Sequence, residues 1–238
     1  MGTKKGRSSD KRITINNCII KYELNSTNEL SVRIFLNYHT IVILCVIIYN
    51  SNRSQMTFQA GNFMKNTKKC CFTGHRPQSL PFGFNEQDER CRLLKIKLKE
   101  IILDMICNKG VNYFITGMAL GIDIFAAEIL IELKESNYNI IIEAAIPCLE
   151  QPNKWSEESQ RRYFDILSKC DKKTLIKKHY DYGCFNKRNI YMVDSSDFVI
   201  AVWSGKPGGT MKTVKYAKEI GKNITILNPV SLEIKEDY

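Results

Sequence analysis

Three times this chain runs an apolar, strand-like segment into a glycine-bearing turn and then into a helical pattern, and few folds accept that repetition. The first instance is Lys69-Cys70-Cys71-Phe72-Thr73-Gly74-His75-Arg76-Pro77. The second runs from Asn112 through Thr116-Gly117-Met118-Ala119-Leu120-Gly121 to Asp123, and the third from Asp197 through Trp203-Ser204-Gly205-Lys206-Pro207-Gly208-Gly209 to Thr210. An apolar run that breaks at glycine and continues as an amphipathic helix is the opening of a βαβ unit. In a parallel sheet all such loops leave from the carboxyl edge, which is where open α/β sheets bind ligands. Helix N-termini at that edge offer unpaired backbone amides to an anion. Gly74 lets the backbone approach a ligand with no Cβ in the way, and Arg76 brings a planar fork of donors suited to phosphate or carboxylate. The expectation is an α/β fold, a doubly wound and mostly parallel Rossmann-like sheet with helices on both faces, holding a crevice for a nucleotide or phosphate.

Periodicity fills in the remaining elements. Leu93, Leu94, Ile96, Leu98, Ile101, Ile102, Met105 and Ile106 recur at helical spacing and predict a helix over 85–109, with Asn85 as its cap and Gly110 as its stop. Strands are expected at 111–115, 139–146, 173–177, 197–203 and 223–227. The run at 139–146 reads as buried on both faces. Helices are expected at 121–135, within 150–169 and over 209–221, and 181–194 reads as a loop passing into a helix. The domain then spans 64–230, and 231–238 reads as a polar tail.

Residues 1–63 differ in character. A basic start gives way to Asn/Ile-rich sequence and to the apolar run 41–49, about half the ~20 residues that a membrane-spanning helix requires. Its β-branched content suits a strand or an aggregation-prone segment. The expectation is a poorly ordered extension, or sequence lying upstream of a functional start at Met64, with a membrane-associating arm as the alternative; no membrane span is expected. Residues 1–63 carry 8 Lys/Arg against 3 Asp/Glu and the remainder 27 against 22, so each part supplies half of the net charge of +10. Spread over the longer part, that excess suits a domain holding an anion and is no polybasic stripe. The nine cysteines form no C-x-x-C pair and no Cys/His ligand set. That pattern points to a reducing, cytoplasmic setting with no structural metal.

Taken one by one, the loop residues keep two readings open. His75 is an acid/base candidate or a hydrogen-bonding loop residue. Asp123, opening a helix, suits a ribose hydroxyl or helix capping. Arg188 and Asn189 should reach the same crevice and add a positive contact, or else form a solvated helix face. Trp203, ending a strand, could stack on a base or belong to the core, and Trp155 carries the same ambiguity. Gly205, Gly208, Gly209 and Thr210 are the expected phosphate cradle.

The set F-T-G-H-R-P (72–77), G-M-A-L-G-I-D (117–123), K-R-N-I-Y-M-V-D (187–194) and G-G-T-M-K-T-V-K-Y-A (208–217) resembles the SLOG superfamily and, within it, the YpsA-like group of unknown function. The likeness runs over 66–230 with its motifs in order. It implies a Rossmann-like fold whose glycine loops bind a nucleotide or nucleotide-derived molecule. The implied contacts are Thr73, Gly74, His75, Arg76, Gly117, Met118, Ala119, Gly121, Asp123, Arg188, Asn189, Trp203, Gly205, Gly208, Gly209 and Thr210. Relatives within the superfamily include the "Lonely guy" phosphoribohydrolases and the DNA-processing protein A group, which binds single-stranded DNA. The phosphoribohydrolases carry P-G-G-x-G-T-x-x-E, whereas here Pro207-Gly208-Gly209-Thr210 is followed by Met211-Lys212-Thr213. The glycine that follows the G-G pair and the glutamate are missing. Backbone amides and the Thr210 hydroxyl can still hold a phosphate, but the obvious general acid/base is lost.

The first expectation is therefore ligand binding as a sensor or regulator. Hydrolysis of an N-glycosidic or phosphoribosyl bond is the alternative, with Asp123, Asp194 and Asp197 as the catalytic candidates. Single-stranded DNA binding ranks third, since nucleic acid calls for a long basic groove with aromatic platforms. No cofactor beyond the nucleotide-type ligand is expected, and a homodimer is expected by analogy only.

Overall fold

The computed structural model describes backbone at residues 11–15, 18–24 and 30–34 and, continuously, residues 67–237. The chain divides into two units, Met1–Lys65 and Asn66–Tyr238. In the first, strands β1 (Lys11–Ile15), β2 (Cys18–Leu24) and β3 (Leu30–Ile34) form an antiparallel sheet in that order. Its register sets Ile13 opposite Ile20, and Ile20 opposite Ile34. β-branched residues spaced through this Asn-rich stretch suit paired strands. The apolar run 41–49 lies outside the described residues.

The second unit alternates strand and helix: β4 (Lys68–Gly74), α1 (Glu89–Cys107), β5 (Val111–Thr116), α2 (Ile122–Glu135), β6 (Ile141–Ile146), α3 (Glu157–Lys169), β7 (Lys172–Leu175), α4 (Cys184–Asp194), β8 (Phe198–Val202), α5 (Gly209–Glu219), β9 (Asn223–Leu227) and β10 (Ile234–Asp237). The seven strands order as β10-β9-β8-β4-β5-β6-β7, parallel except for β10. From β4 the chain winds outward to β7, then returns to place β8 on the other side of β4. The strand order thus reverses between β4 and β8, at the topological switch point where ligands bind in this architecture.

Period-two alternation sorts the strands' side chains between two cores. Phe72, Phe114, Ile142 and Ile200 face the layer of α1, α2 and α3, while Cys71, Ile115, Val199 and Ala201 face α4 and α5. Phe72 and Phe114 stack with ring centroids 6.1 Å apart. Leu94, Leu98 and Ile102 of α1 are fully buried, each contributing about 1.5–3 kcal/mol of apolar burial.

Two details depart from the sequence reading, and a third adds to it. α1 begins at Glu89 because Asp88 caps it, accepting from the Arg90 amide at 2.9 Å. The Asn85 side chain instead closes the preceding turn, accepting from the Gln87 amide at 3.1 Å. β6 is buried as expected, and its one charged residue, Glu143, is buried with it and accepts from Tyr113, Thr174 (2.5 Å), Tyr191 (2.6 Å) and Lys172 (3.2 Å). Burial alone would push this carboxyl up, but those donors hold it below the usual range. Last, the stretch read as a polar tail supplies β10, antiparallel to β9 with Ile234 opposite Leu227. A ladder uses backbone groups, so a polar sequence can provide it, and charged residues suit a sheet edge.

Candidate functional site

The loop after β4 lies between those after β5 and β8, and close backbone approach fixes their spacing. The His75 amide donates to the Val202 carbonyl at 3.2 Å, tying the ends of β4 and β8 together. A Cβ on Gly74 would lie 2.5 Å from the Ile122 Cβ at the start of α2. Gly121 has φ +92°, and a Cβ there would come within 2.7 Å of the His75 carbonyl oxygen. Both positions require glycine.

The crevice enclosed by these loops has a volume of about 250 Å³. Its wall includes Thr73, Gly74, His75, Arg76, Ala119, Asp123, Arg188, Asn189, Gly208, Gly209 and Thr210, all singled out from sequence. Phe72, Ser79, Phe185, Lys206 and Pro207 also line it and were not. Phe185 stands next to the basic motif of α4 and Lys206 inside the glycine loop, so proximity to those motifs was the signal that could have found them.

One wall of the crevice is a buried ion pair. Arg188 Nη1 lies 3.6 Å from Asp123 Oδ2, with the two residues 4% and 6% exposed. Arg188 also donates to the Gly117 carbonyl and, through Nε, to Asn189 Oδ1 at 2.8 Å. Asn189 Nδ2 continues to Thr213 Oγ1 at 3.0 Å, which donates to the Gly209 carbonyl at 3.0 Å. This chain of contacts links the second glycine loop to α5. Asp123 Oδ2 accepts from the Ala119 amide at 3.3 Å, and the Thr116 hydroxyl holds the Asp123 carbonyl at 2.9 Å. Burial pushes the Asp123 carboxyl up, opposed by Arg188, the Ala119 amide and Arg76. Burial likewise lowers the Arg188 guanidinium, with Asp123 opposing.

Arg76 is exposed at the crevice mouth, its guanidinium carbon 5.7 Å from the centroid of the Phe185 ring. His75 Nε2 accepts from the Ser204 amide at 3.1 Å and lies 2.9 Å from the Ser204 hydroxyl. An amide donor fixes Nε2 as the acceptor, so the neutral ring carries its proton on Nδ1. Burial, then the charge of Lys206, lowers the imidazole pKa.

Several residues expected at the crevice lie elsewhere. Gly117 is covered by Arg188 and Asp123, whose atoms stand 1.8 and 2.6 Å from where a Cβ would be. Met118 is wholly buried with φ +56°, its carbonyl accepting from Gln151 Nε2 at 2.9 Å. Gly121 and Gly205 shape their turns without lining the cavity. Trp203 buttresses the third loop, donating from its indole N–H to the Lys206 carbonyl at 2.7 Å, and Trp155 packs edge-on against Tyr163. Asp194 and Asp197 require a correction, because both lie at the amino edge of the sheet. Asp197 precedes β8 and accepts from the Lys69 amide at 2.8 Å, at the start of β4. Asp194 ends α4, which runs back across the sheet, and accepts from the Tyr216 hydroxyl at 2.6 Å. Of the three proposed acids only Asp123 reaches the crevice. Among the described residues no His/Cys/Asp/Glu group is placed to hold a metal ion, and no helix is long and apolar enough to cross a membrane.

The family model YpsA, described as the YspA SLOG family, matches residues 70–232. The chain belongs to this family. The match covers all three loops that build the crevice. The UPF0398 protein BH1768 of Halalkalibacterium halodurans is 28% identical over 173 residues, spanning 70% of this chain and 90% of the relative. The uncharacterized SPbeta prophage-derived protein YoqJ of Bacillus subtilis is 32% identical over 150 residues, or 57% of this chain and 88% of the relative. Among solved structures, DNA processing protein A of Streptococcus pneumoniae superposes with a TM-score of 0.47 at 15% identity, over 68% of this chain. The chain spans half the length of that protein.

Proposed function

We propose that this SLOG protein binds a nucleotide or nucleotide-derived small molecule in the crevice between β4 and β8, acting as a sensor or regulator. The observation that carries this reading is the disposition of charge. The buried pair Asp123–Arg188 is internally satisfied, whereas Arg76 rests over an aromatic ring rather than against a carboxylate. Arg76 and Lys206 therefore line the same cavity as the Gly208-Gly209-Thr210 backbone at the N-terminus of α5. Cations, exposed amides and a helix N-terminus together suit a phosphate.

A ligand bound only to the folded state raises the unfolding midpoint by mass action. The test is a thermal-shift titration with mononucleotides, dinucleotides and modified nucleotides. A midpoint increase that disappears in Arg76→Ala, whose own midpoint stays near that of the wild type, is the expected result. An oligonucleotide that shifts the midpoint when no small nucleotide does, with affinity falling steeply in salt, would put single-stranded DNA in its place.

Hydrolysis of an N-glycosidic or phosphoribosyl bond is a second reading, favoured by one observation. The Asp123 carboxyl lines the crevice and its pKa is raised by burial, as a general acid requires. Chromatographic detection of released base or ribose phosphate tests it. Turnover that survives Asp123→Asn would remove that residue from the chemistry.

A further inference from the structure

The crevice is small for the ligand class assigned to it. Its volume of about 250 Å³ falls below the roughly 300–1,000 Å³ of pockets that enclose a drug-sized ligand. A nucleotide whose phosphate sits at Gly208–Thr210 must leave its base outside, against the rim. One side of that rim is aromatic. Phe185, in the first turn of α4, lines the cavity beneath the Arg76 guanidinium. The Tyr180 ring continues outward, its centroid 6.4 Å from that of Phe185 with a 59° tilt, and Tyr180 is 62% exposed. The other aromatic side chains that line the cavity, Phe72 and His75, are both buried.

The segment bearing Tyr180 is anchored along its length. The Ile176 and Lys177 amides donate to the Ile146 and Pro147 carbonyls at 2.8 and 3.1 Å. The Tyr180 amide donates to Glu150 Oε2 at 3.1 Å, and His179 Nδ1 meets Glu150 Oε1 at 3.0 Å. Asp181 accepts from Lys187 at 2.9 Å, and its carbonyl accepts from the Cys184 amide at 3.2 Å. Singly exposed apolar residues need no explanation. A ring held in water by a fixed backbone, next in line to a ring that lines a cavity, is a different case. Little ordering entropy remains to be lost when a planar group stacks there.

We infer that Phe185 and Tyr180 form the nucleobase subsite of this crevice, stacking the base of a nucleoside phosphate whose phosphate occupies the Gly208–Thr210 end, with Arg76 between the two. The inference rests on the nucleotide reading above and assigns its ligand a polarity. The base is recognised by its face, so the class is nucleoside phosphates with an accessible base, and sugar phosphates lacking a base bind more weakly.

Two probes separate the parts: ethenoadenosine 5′-monophosphate, whose emission is quenched when its base stacks on an aromatic ring, and ribose 5-phosphate. Both are titrated into the full chain and into Tyr180→Ala, Phe185→Leu and the double variant. Stacking strengthens binding by about 5- to 150-fold per base, so the double variant should lose affinity for the etheno nucleotide by a factor in that range. Its quench should disappear, while ribose 5-phosphate affinity stays within about twofold. Tyr180→Ala keeps the test sound if Phe185 also steadies Arg76, since the Arg76 guanidinium lies over the Phe185 ring and Tyr180 is not among the residues lining the cavity. Unchanged affinity and quench in every variant would overturn the subsite and leave the nucleotide reading standing. Equal losses for both probes would also overturn it, by making the rings supports for Arg76. Binding of neither probe to the wild type removes the nucleotide reading, and the subsite with it.

Discussion

The loops after β5 and β8 look alike in sequence, each an apolar strand running into glycines and then a helix, yet they serve opposite ends. In the β5 loop the glycines admit other parts of the protein. Arg188 and Asp123 occupy the space a Gly117 side chain would need, and the His75 carbonyl occupies that of Gly121. In the β8 loop nothing lies within 4 Å of a Cβ built on Gly205, Gly208 or Gly209. The first loop is filled by the protein's own cation and carboxylate, while the second is open, carries the exposed Lys206 and shares its cavity with the exposed Arg76. Glycine is needed in one case for close approach and in the other for backbone conformation and accessible amides.

The largest expected effect breaks the filled loop. Gly117→Ala drives a Cβ into the Arg188–Asp123 pair, and splitting a buried pair costs about 3–5 kcal/mol. Urea denaturation should show a loss of that order; a midpoint within about 0.5 kcal/mol of wild type would mean the pair can move aside and the loop is not closed.

The open loop should respond to conformation and not to crowding. Gly208 has φ +151° and ψ −164°, a region available essentially to glycine alone, so Gly208→Ala should cost about 1–3 kcal/mol. Gly209→Ala, at a helical position with free space around it, should change stability by no more than about 0.5–1 kcal/mol, in the favourable direction. Paired thermal melts check both, and destabilisation by Gly209→Ala would show that the loop is packed after all.

The smallest effect concerns the loop that joins the two. His75 is held neutral by burial and by Lys206, so the unfolded chain takes up a proton more readily than the folded one. The sign follows: its contribution is full above pH ~6.5, the ordinary imidazole value, and is lost as pH falls through the lowered value. Protonation also removes the acceptor for the Ser204 amide. The urea midpoint of the wild type should therefore fall more between pH 7.5 and 5.5 than that of His75→Gln. Superimposable pH curves would exclude His75 as the source.

Much of the architecture was legible because it is written in local periods. The apolar strand cores and the spacing of Leu94, Leu98 and Ile102 specify element types without reference to the rest of the chain. The placement of Asp197 was legible too, since a residue preceding a parallel strand belongs to the amino edge; only its closeness in sequence to the glycine loop suggested otherwise. Glu143 was not legible, because a carboxylate inside a strand becomes tolerable only through donors from β5, β7 and α4. β10 was equally hidden, for edge pairing draws on backbone groups that no side-chain pattern reports.

The sequence by itself determined the alternation of strands and helices, the glycine turns and hence the edge on which a ligand site could form, because these follow from hydrophobic periodicity and backbone sterics. Only the tertiary structure decided which glycine loop stays open. Arg188 closes the loop at Gly117 from 71 residues away, brought there by the crossover that returns the chain from β7 to β8, and no local pattern encodes a contact made at that separation.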